Sequence, residues 1–282
     1  MIEEPLQFGE GGRLFGVLTR PDEGSSDAPV FVFLNAGLLH RAGPHRLHVR
    51  IARRLAAHGL SSLRVDLGGI GDSLTPPGIA YPESVAIDFA DVLDLLSSEA
   101  DAEQVYLFGL CSGADNAIRL AADHPRVAGM VLIDPVCEKD EEFASRAGAF
   151  SARALATKAA TPTRYVTALK RRIDALTRRS DERNSDDAAG ADSLALRGIP
   201  DPELTRRAFE KIRDRQGRVL CIFTAYALRY YNGLGQMGRV LAIEDYDSFA
   251  TEIFWPHSRH TFPLETHRLR LMDAIEAWVT KG

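Results

Sequence analysis

The stretch GLCSGAD, beginning at Gly109, sets a thiol and a hydroxyl side by side at Cys111 and Ser112. The apolar run Val105 to Phe108 leads straight into it, and a helical pattern from Ala114 to Ala122 follows. A strand that turns abruptly into a helix strains the residue at the turn and presents its side chain above the sheet. Residues two before and two after must then be small, so that strand and helix can approach. Gly109 and Gly113 fill those places when Cys111 is central. With Ser112 central, Ala114 would serve but Leu110 would collide. Spacing selects Cys111 as the candidate nucleophile and leaves Ser112 as the residue after it. The bland alternative is a Gly-rich turn around an inert buried cysteine.

The elements that must position this turn follow from apolar runs and turn signals. Leu6 to Phe8 and Leu14 to Leu18, separated by Gly9-Glu10-Gly11-Gly12, predict an N-terminal hairpin. VFVFL at Val30 to Leu34 predicts a strand buried on both faces, with a tight turn at Asn35-Ala36-Gly37. A helix is expected from about His45 to His58, with Leu47, Ile51 and Leu55 on one face. Ser62 to Val65 reads as a strand, Pro82 to Leu96 as a helix, and Val127 to Ile133 as another buried strand. Strands and helices alternating in this way predict an α/β fold, a mostly parallel central sheet with helices on both faces. From about 138 to 217 strand-like runs cease, which predicts a helical lid insertion within a single domain spanning 1–282. Its middle, RRSDERNSDDAAGAD, reads as a polar loop. The sheet resumes at RVLCIFT from Arg218, followed by a strand near Ile253 to Trp255 and a closing helix from about Thr266 to Val279.

Four motifs in this order, VFVFLNAG, LRVDLGGIGDS, GLCSGA and HSRHTF, resemble those of the α/β-hydrolase fold family over nearly the whole chain apart from the lid. The cysteine at the elbow is similar to that of dienelactone hydrolases and of aminoacyl-shuttling acyltransferases, whereas most relatives use serine. The resemblance implies a base on the loop after the last strand. His260 matches that place, with His257 as its rival, although Arg259 stands where relatives carry an acid. The family's acid usually follows the next-to-last strand, yet Ala225-Tyr226-Ala227-Leu228-Arg229 offers no carboxylate there. Asp134, Asp245, Asp247 and no acid at all remain open; a thiol ionises more readily than a hydroxyl and tolerates the last. The resemblance also implies an oxyanion hole from the backbone N–H of Ser112 and that of Gly37 or Leu38. In LRVDLGGIGDS, Asp66 and Asp72 are expected to cap backbone donors.

These residues suggest acyl transfer on an ester or thioester through a Cys111 thioester. The expected partner is a small acyl substrate, carried on a carrier protein or coenzyme A. The other hypothesis is a catalytically silent fold serving as a binding or regulatory module, favoured by the missing carboxylate and by Arg259. A formal net charge of −5 argues against nucleic acid. Basic clusters at Lys170-Arg171-Arg172 and Arg178-Arg179 read as solvated helix faces. No apolar run suits a membrane span, and MIEEPLQFGEGG does not read as a signal peptide, so a cytoplasmic protein is expected. No cofactor is expected, since DLGGIGDS does not match Gly-x-Gly-x-x-Gly. No metal is expected either: Cys111, Cys137 and Cys221 are widely spaced, and Cys221 lies in an apolar run. His40, His45 and His48 read as surface residues, His40 being a candidate for the pocket wall.

Overall fold

The computed structural model describes residues 1–23, 28–148 and 199–280. The hairpin is longer than its apolar cores suggest: β1 (Ile2–Phe8) and β2 (Leu14–Arg20) pair antiparallel along their whole length. Then follow β3 (Val30–Phe33), α1 (Leu47–Ala57), β4 (Ser62–Asp66), α2 (Tyr81–Ala100), β5 (Val105–Leu110), α3 (Ser112–Asp123) and β6 (Val127–Ile133). After the undescribed stretch come α4 (Pro202–Asp214), β7 (Arg218–Thr224), the short helices α5 (Gln236–Leu241) and α6 (Tyr246–Phe249), β8 (Ala250–Trp255) and α7 (Glu265–Thr280).

Among the described residues one sheet runs in the order β1-β2-β4-β3-β5-β6-β7-β8. Only the pairs β1/β2 and β2/β4 are antiparallel; from β4 onward all neighbours are parallel. The chain moves from β3 to β4 on one side and returns to place β5 on the other. The helices that follow β3 and β5 therefore cover opposite faces, and the carboxyl ends of these two strands form the switch point at which open α/β sheets hold their ligands. Every residue of β3, β4 and β6 is buried, as the unbroken apolar runs in β3 and β6 require of strands covered on both faces.

Two apolar layers cover the sheet. Phe89, Val92, Ile118, Phe209 and Ile212 of α2, α3 and α4 pack on one face. Leu47, Ile51 and Leu55 of α1 and Leu271, Ile275 and Trp278 of α7 pack on the other. Each such side chain, fully buried, contributes roughly 1.5–3 kcal/mol to holding its helix on the sheet. The helix α4 lies at the end of the segment expected to form the lid, yet Ala208, Phe209 and Ile212 bury it in the main core. The rest of the expected lid from 149, its polar loop and both basic clusters fall outside the described residues.

Three further expectations change. α1 starts at Leu47 because His45 and Arg46 take left-handed backbone conformations, with φ of 51° and 59°. His48 is not a surface residue: it precedes Ile51, Ala52 and Leu55 by three, four and seven positions, on the buried stripe. Its ring lies 5.4 Å from Phe33 and 5.3 Å from Phe108. Burial, helped by the charge of Arg64, lowers its pKa to about 3, so the imidazole is neutral. His40 and His45 are exposed, as expected. Of the two aspartates in DLGGIGDS, only Asp66 accepts backbone N–H groups, those of Arg41 and Asp72. Asp72 instead pairs at 2.7 Å with the Arg41 guanidinium, which also bonds Asp66.

Candidate active site

Cys111 stands alone between β5 and α3 with φ 57° and ψ −120°, a conformation costly for any residue with a Cβ. Its N–H donates to Ile133 O at 2.9 Å, and its carbonyl accepts from Ala114 N at 2.9 Å, so strand and helix both hold the strain in place. A Cβ on Gly109 would lie 2.2 Å from the Gly113 carbonyl carbon, and one on Gly113 would lie 2.7 Å from Asn35 O. The two glycines allow β5, α3 and the turn after β3 to meet at one point. Cys111 is buried except for 8% of its surface.

Asp134 follows β6, the strand beside β5, and also has positive φ, 50°. Its carboxylate is fully buried. Oδ1 accepts from Thr224 N at 2.6 Å; Oδ2 accepts from Thr224 Oγ1 at 2.6 Å and meets His260 Nδ1 at 2.6 Å. His260 follows β8 in a turn closed by Ser258 N donating to Trp255 O at 3.0 Å, and the fully buried Phe262 anchors the far side. With Nδ1 committed to Asp134, Nε2 is left for the Cys111 thiol, to which His260 is also hydrogen-bonded. Burial disfavours charge on this imidazole, but the bonds to Asp134 and Cys111 and their negative charges outweigh it and raise the pKa to about 9. The Asp134 and Cys111 contacts thus favour the protonated ring. A thiol, an imidazole and a carboxylate linked in this order can ionise the sulfur, hold the ring in one orientation and return a proton to a leaving group.

The structure brings Cys111, His260 and Asp134 together and leaves the rivals elsewhere. His257 is exposed. Asp245 and Asp247 are exposed around α6, where Asp245 acts on the charge of Arg213 of α4. Near the expected oxyanion donors, Gly37 N donates to Ser112 Oγ at 2.7 Å, while Gly37 itself has φ 57° and open space where a Cβ would stand. Leu38 projects its side chain outward, 66% exposed. Asn35 braces this turn: its Nδ2 donates to Leu39 O at 2.9 Å and Asp66 Oδ1 at 3.1 Å, and its Oδ1 accepts from Leu67 N at 2.8 Å.

Sequence reasoning missed Thr224, Tyr226, Tyr230 and Asn35. Thr224 ends β7, the place where a carboxylate was sought, and serves the carboxylate of β6 instead. Tyr230 Oη donates to Asp134 O at 3.1 Å. Tyr226 stacks on His260 with ring centroids 4.0 Å apart and 19° between planes. The one available signal was the run Thr-Ala-Tyr at the end of a buried strand, polar groups at the carboxyl edge of the sheet. Among the described residues no group of three His, Cys, Asp or Glu side chains is gathered to hold a metal ion, and no helix is long and apolar enough to cross a membrane.

A parallel sheet of this order, an elbow after β5 and a late histidine after β8 define an α/β-hydrolase. The sequence profile of the family described as serine aminopeptidase, S33, matches residues 37–218, and the chain belongs to that family. Its elbow carries Cys111 where the description speaks of serine. No curated protein matches the sequence significantly. Among solved structures, a thermophilic esterase from Thermogutta terrifontis is similar at 19% identity and TM-score 0.51, over 100% of this chain and 99% of that one. An esterase from Pyrococcus furiosus is similar at 11% identity and TM-score 0.61, over 99% and 90%. A thioesterase domain from the curacin biosynthetic pathway is similar at 17% identity and TM-score 0.55, over 98% and 99%. These likenesses are of fold.

Proposed function

We propose that the protein is an acyl-transfer enzyme acting on an ester or thioester, as hydrolase or acyltransferase, through an acyl-thioester on Cys111. The observation that carries this is the chain from the Asp134 carboxylate through His260 to the thiol at the elbow. The esterases and the thioesterase domain of similar fold support the bond class. The substrate would be a small acyl group, carried on a carrier protein or coenzyme A.

The Cys111 thiolate attacks the acyl carbon and forms the S–C bond. The carbonyl oxygen takes the displaced electron pair beside the N–H groups of Ser112 and the Gly37–Leu38 turn. As the oxyanion collapses, the bond to the leaving oxygen or sulfur breaks, and His260 gives that atom its proton. Water, a thiol or an amine then attacks the acyl-Cys111, with His260 accepting the proton, and the S–C bond breaks to release the product and return the Cys111 thiolate. A thioester substrate and a thioester enzyme lie close in energy, so onward transfer to another thiol is nearly balanced. The silent-module hypothesis drew on the missing carboxylate after β7; Asp134 stands within 2.6 Å of His260 and removes that ground. An aminopeptidase would hold a substrate's ammonium group with acidic side chains, whereas the exposed charges adjoining His260 include Arg229 and Arg259.

Incubation with a panel of short acyl thioesters, followed by intact-mass measurement, tests the reading. An acyl adduct on the wild type and none on Cys111→Ala is expected. Absence of any adduct across the panel overturns it.

A further inference from the structure

We propose that Arg229 is an anion-recognition point of this site, taking a carboxylate or phosphate borne by the substrate. The inference rests on the reading of Cys111 as nucleophile and adds a substrate class to it. Arg229 Cζ lies 4.0 Å from the centroid of the Tyr226 ring, and the His260 ring lies 4.0 Å from the same centroid. One ring face cannot hold both groups, so Tyr226 is sandwiched between imidazole and guanidinium. Arg229 is thereby fixed within two stacking distances of His260. Tyr230 adds a second ring, 5.5 Å from Arg229 Cζ. Tyr230 is itself bonded to the Asp134 carbonyl, so the platform is tied to the relay.

Stacking uses the flat faces of a guanidinium and leaves its N–H edge free, the edge that forks onto carboxylate and phosphate. Arg229 is exposed, and among the described residues that edge meets no carboxylate or other acceptor. Arg13, Arg41 and Arg146 are each spoken for by aspartates. Arg259, next in sequence to His260, is likewise exposed and without an ion-pair partner among the described residues. In a chain with a net charge of −5, two uncompensated guanidinium groups on the residues flanking one imidazole run against the overall sign. An anionic group on the substrate complements them, and an exposed cation held rigid by two rings loses little entropy in binding it.

The test uses three iodoacetamide-type reagents matched in length, ending in an ethyl group, a carboxylate and a phosphate, with Cys111 alkylation followed by peptide mapping. In the wild type at least one anionic reagent is expected to label Cys111 about tenfold faster than the neutral one, the factor a charge-assisted hydrogen bond supplies. The faster of the two names the source, an acyl-borne carboxylate or a carrier phosphate. Arg229→Gln should bring the ratio to within about twofold, and Arg229→Glu should invert it, as the sign of the charge requires. No preference in the wild type, or the same preference in Arg229→Gln, overturns the site. An equal change in all three rates marks a packing role for Arg229 and overturns it too. Slow alkylation of Cys111 by all three reagents overturns the thiol reading beneath it, a result distinct from the others.

Discussion

The Gly37 amide donates to the Ser112 hydroxyl at 2.7 Å, joining the turn after β3 to the first residue of α3. One N–H cannot serve both this oxygen and a developing oxyanion at full strength. The hydroxyl thus orients the turn. Ser112→Ala should lower the acylation rate about tenfold with little change in KM, less than the ~10²–10³ of losing an oxyanion donor outright. Single-turnover acylation measures it; an unchanged rate means that the turn needs no such anchor.

Asp134→Asn should slow acylation about a hundredfold, well short of the ~10⁴ that the same change costs a serine relay. The difference arises because a thiol needs less help to ionise. A loss as large as the serine value would mean that Cys111 behaves like an ordinary hydroxyl nucleophile.

His260 should titrate near pH 9, visible as its ring proton resonance, and Asp134→Asn should bring that midpoint down. Because the folded pKa is raised above 6.5, the stabilisation is complete below pH 6.5 and lost as pH rises through about 9. The gap in melting temperature between wild type and Asp134→Asn should narrow across that window. A gap constant over the window would show that Thr224, and not the imidazolium, accounts for it.

His48 works in the opposite window. With a folded pKa of about 3, its titration adds no cost above pH 6.5 and destabilises increasingly as pH falls from 6.5 towards 3. His48→Leu, an apolar side chain of similar volume, should shift acid unfolding to lower pH, followed by circular dichroism. No shift would place the acid sensitivity elsewhere.

Gly109→Ala should be the more damaging glycine change, since its Cβ would meet backbone at 2.2 Å and no side chain can yield. Gly113→Ala, at 2.7 Å from Asn35 O, should cost about 1–3 kcal/mol, within the usual range for overpacking. Urea unfolding of both variants compares them; the reverse order would contradict the elbow geometry.

The alternation of strand and helix was legible because strands buried on both faces write themselves as unbroken apolar runs such as VFVF and VAGMVLI. The elbow was legible because close backbone approach admits only glycine. His48 was misread because one polar residue on an apolar stripe looks like the edge of that stripe. The place of the carboxylate stayed open because Asp134 sits at the end of β6 and is chosen by Thr224, 90 positions later. Such a choice is made by the alignment of β6 with β7, which no local pattern carries. Tyr226 and Arg229 were passed over for the same reason, since stacking on His260 depends on two loops that meet only in space.

Asp134 is the first residue after β6. Its amide donates to Ile222 O at 2.8 Å, its carbonyl accepts from Tyr230, its carboxylate is clasped by Thr224, and Val136 N next along is held by Asp115 at 3.3 Å. These ties insulate the carboxylate mechanically from whatever the departing chain does. The carboxylate is thereby placed by β6, β7 and the residues just after them, and its contact with His260 is a property of the sheet's own frame.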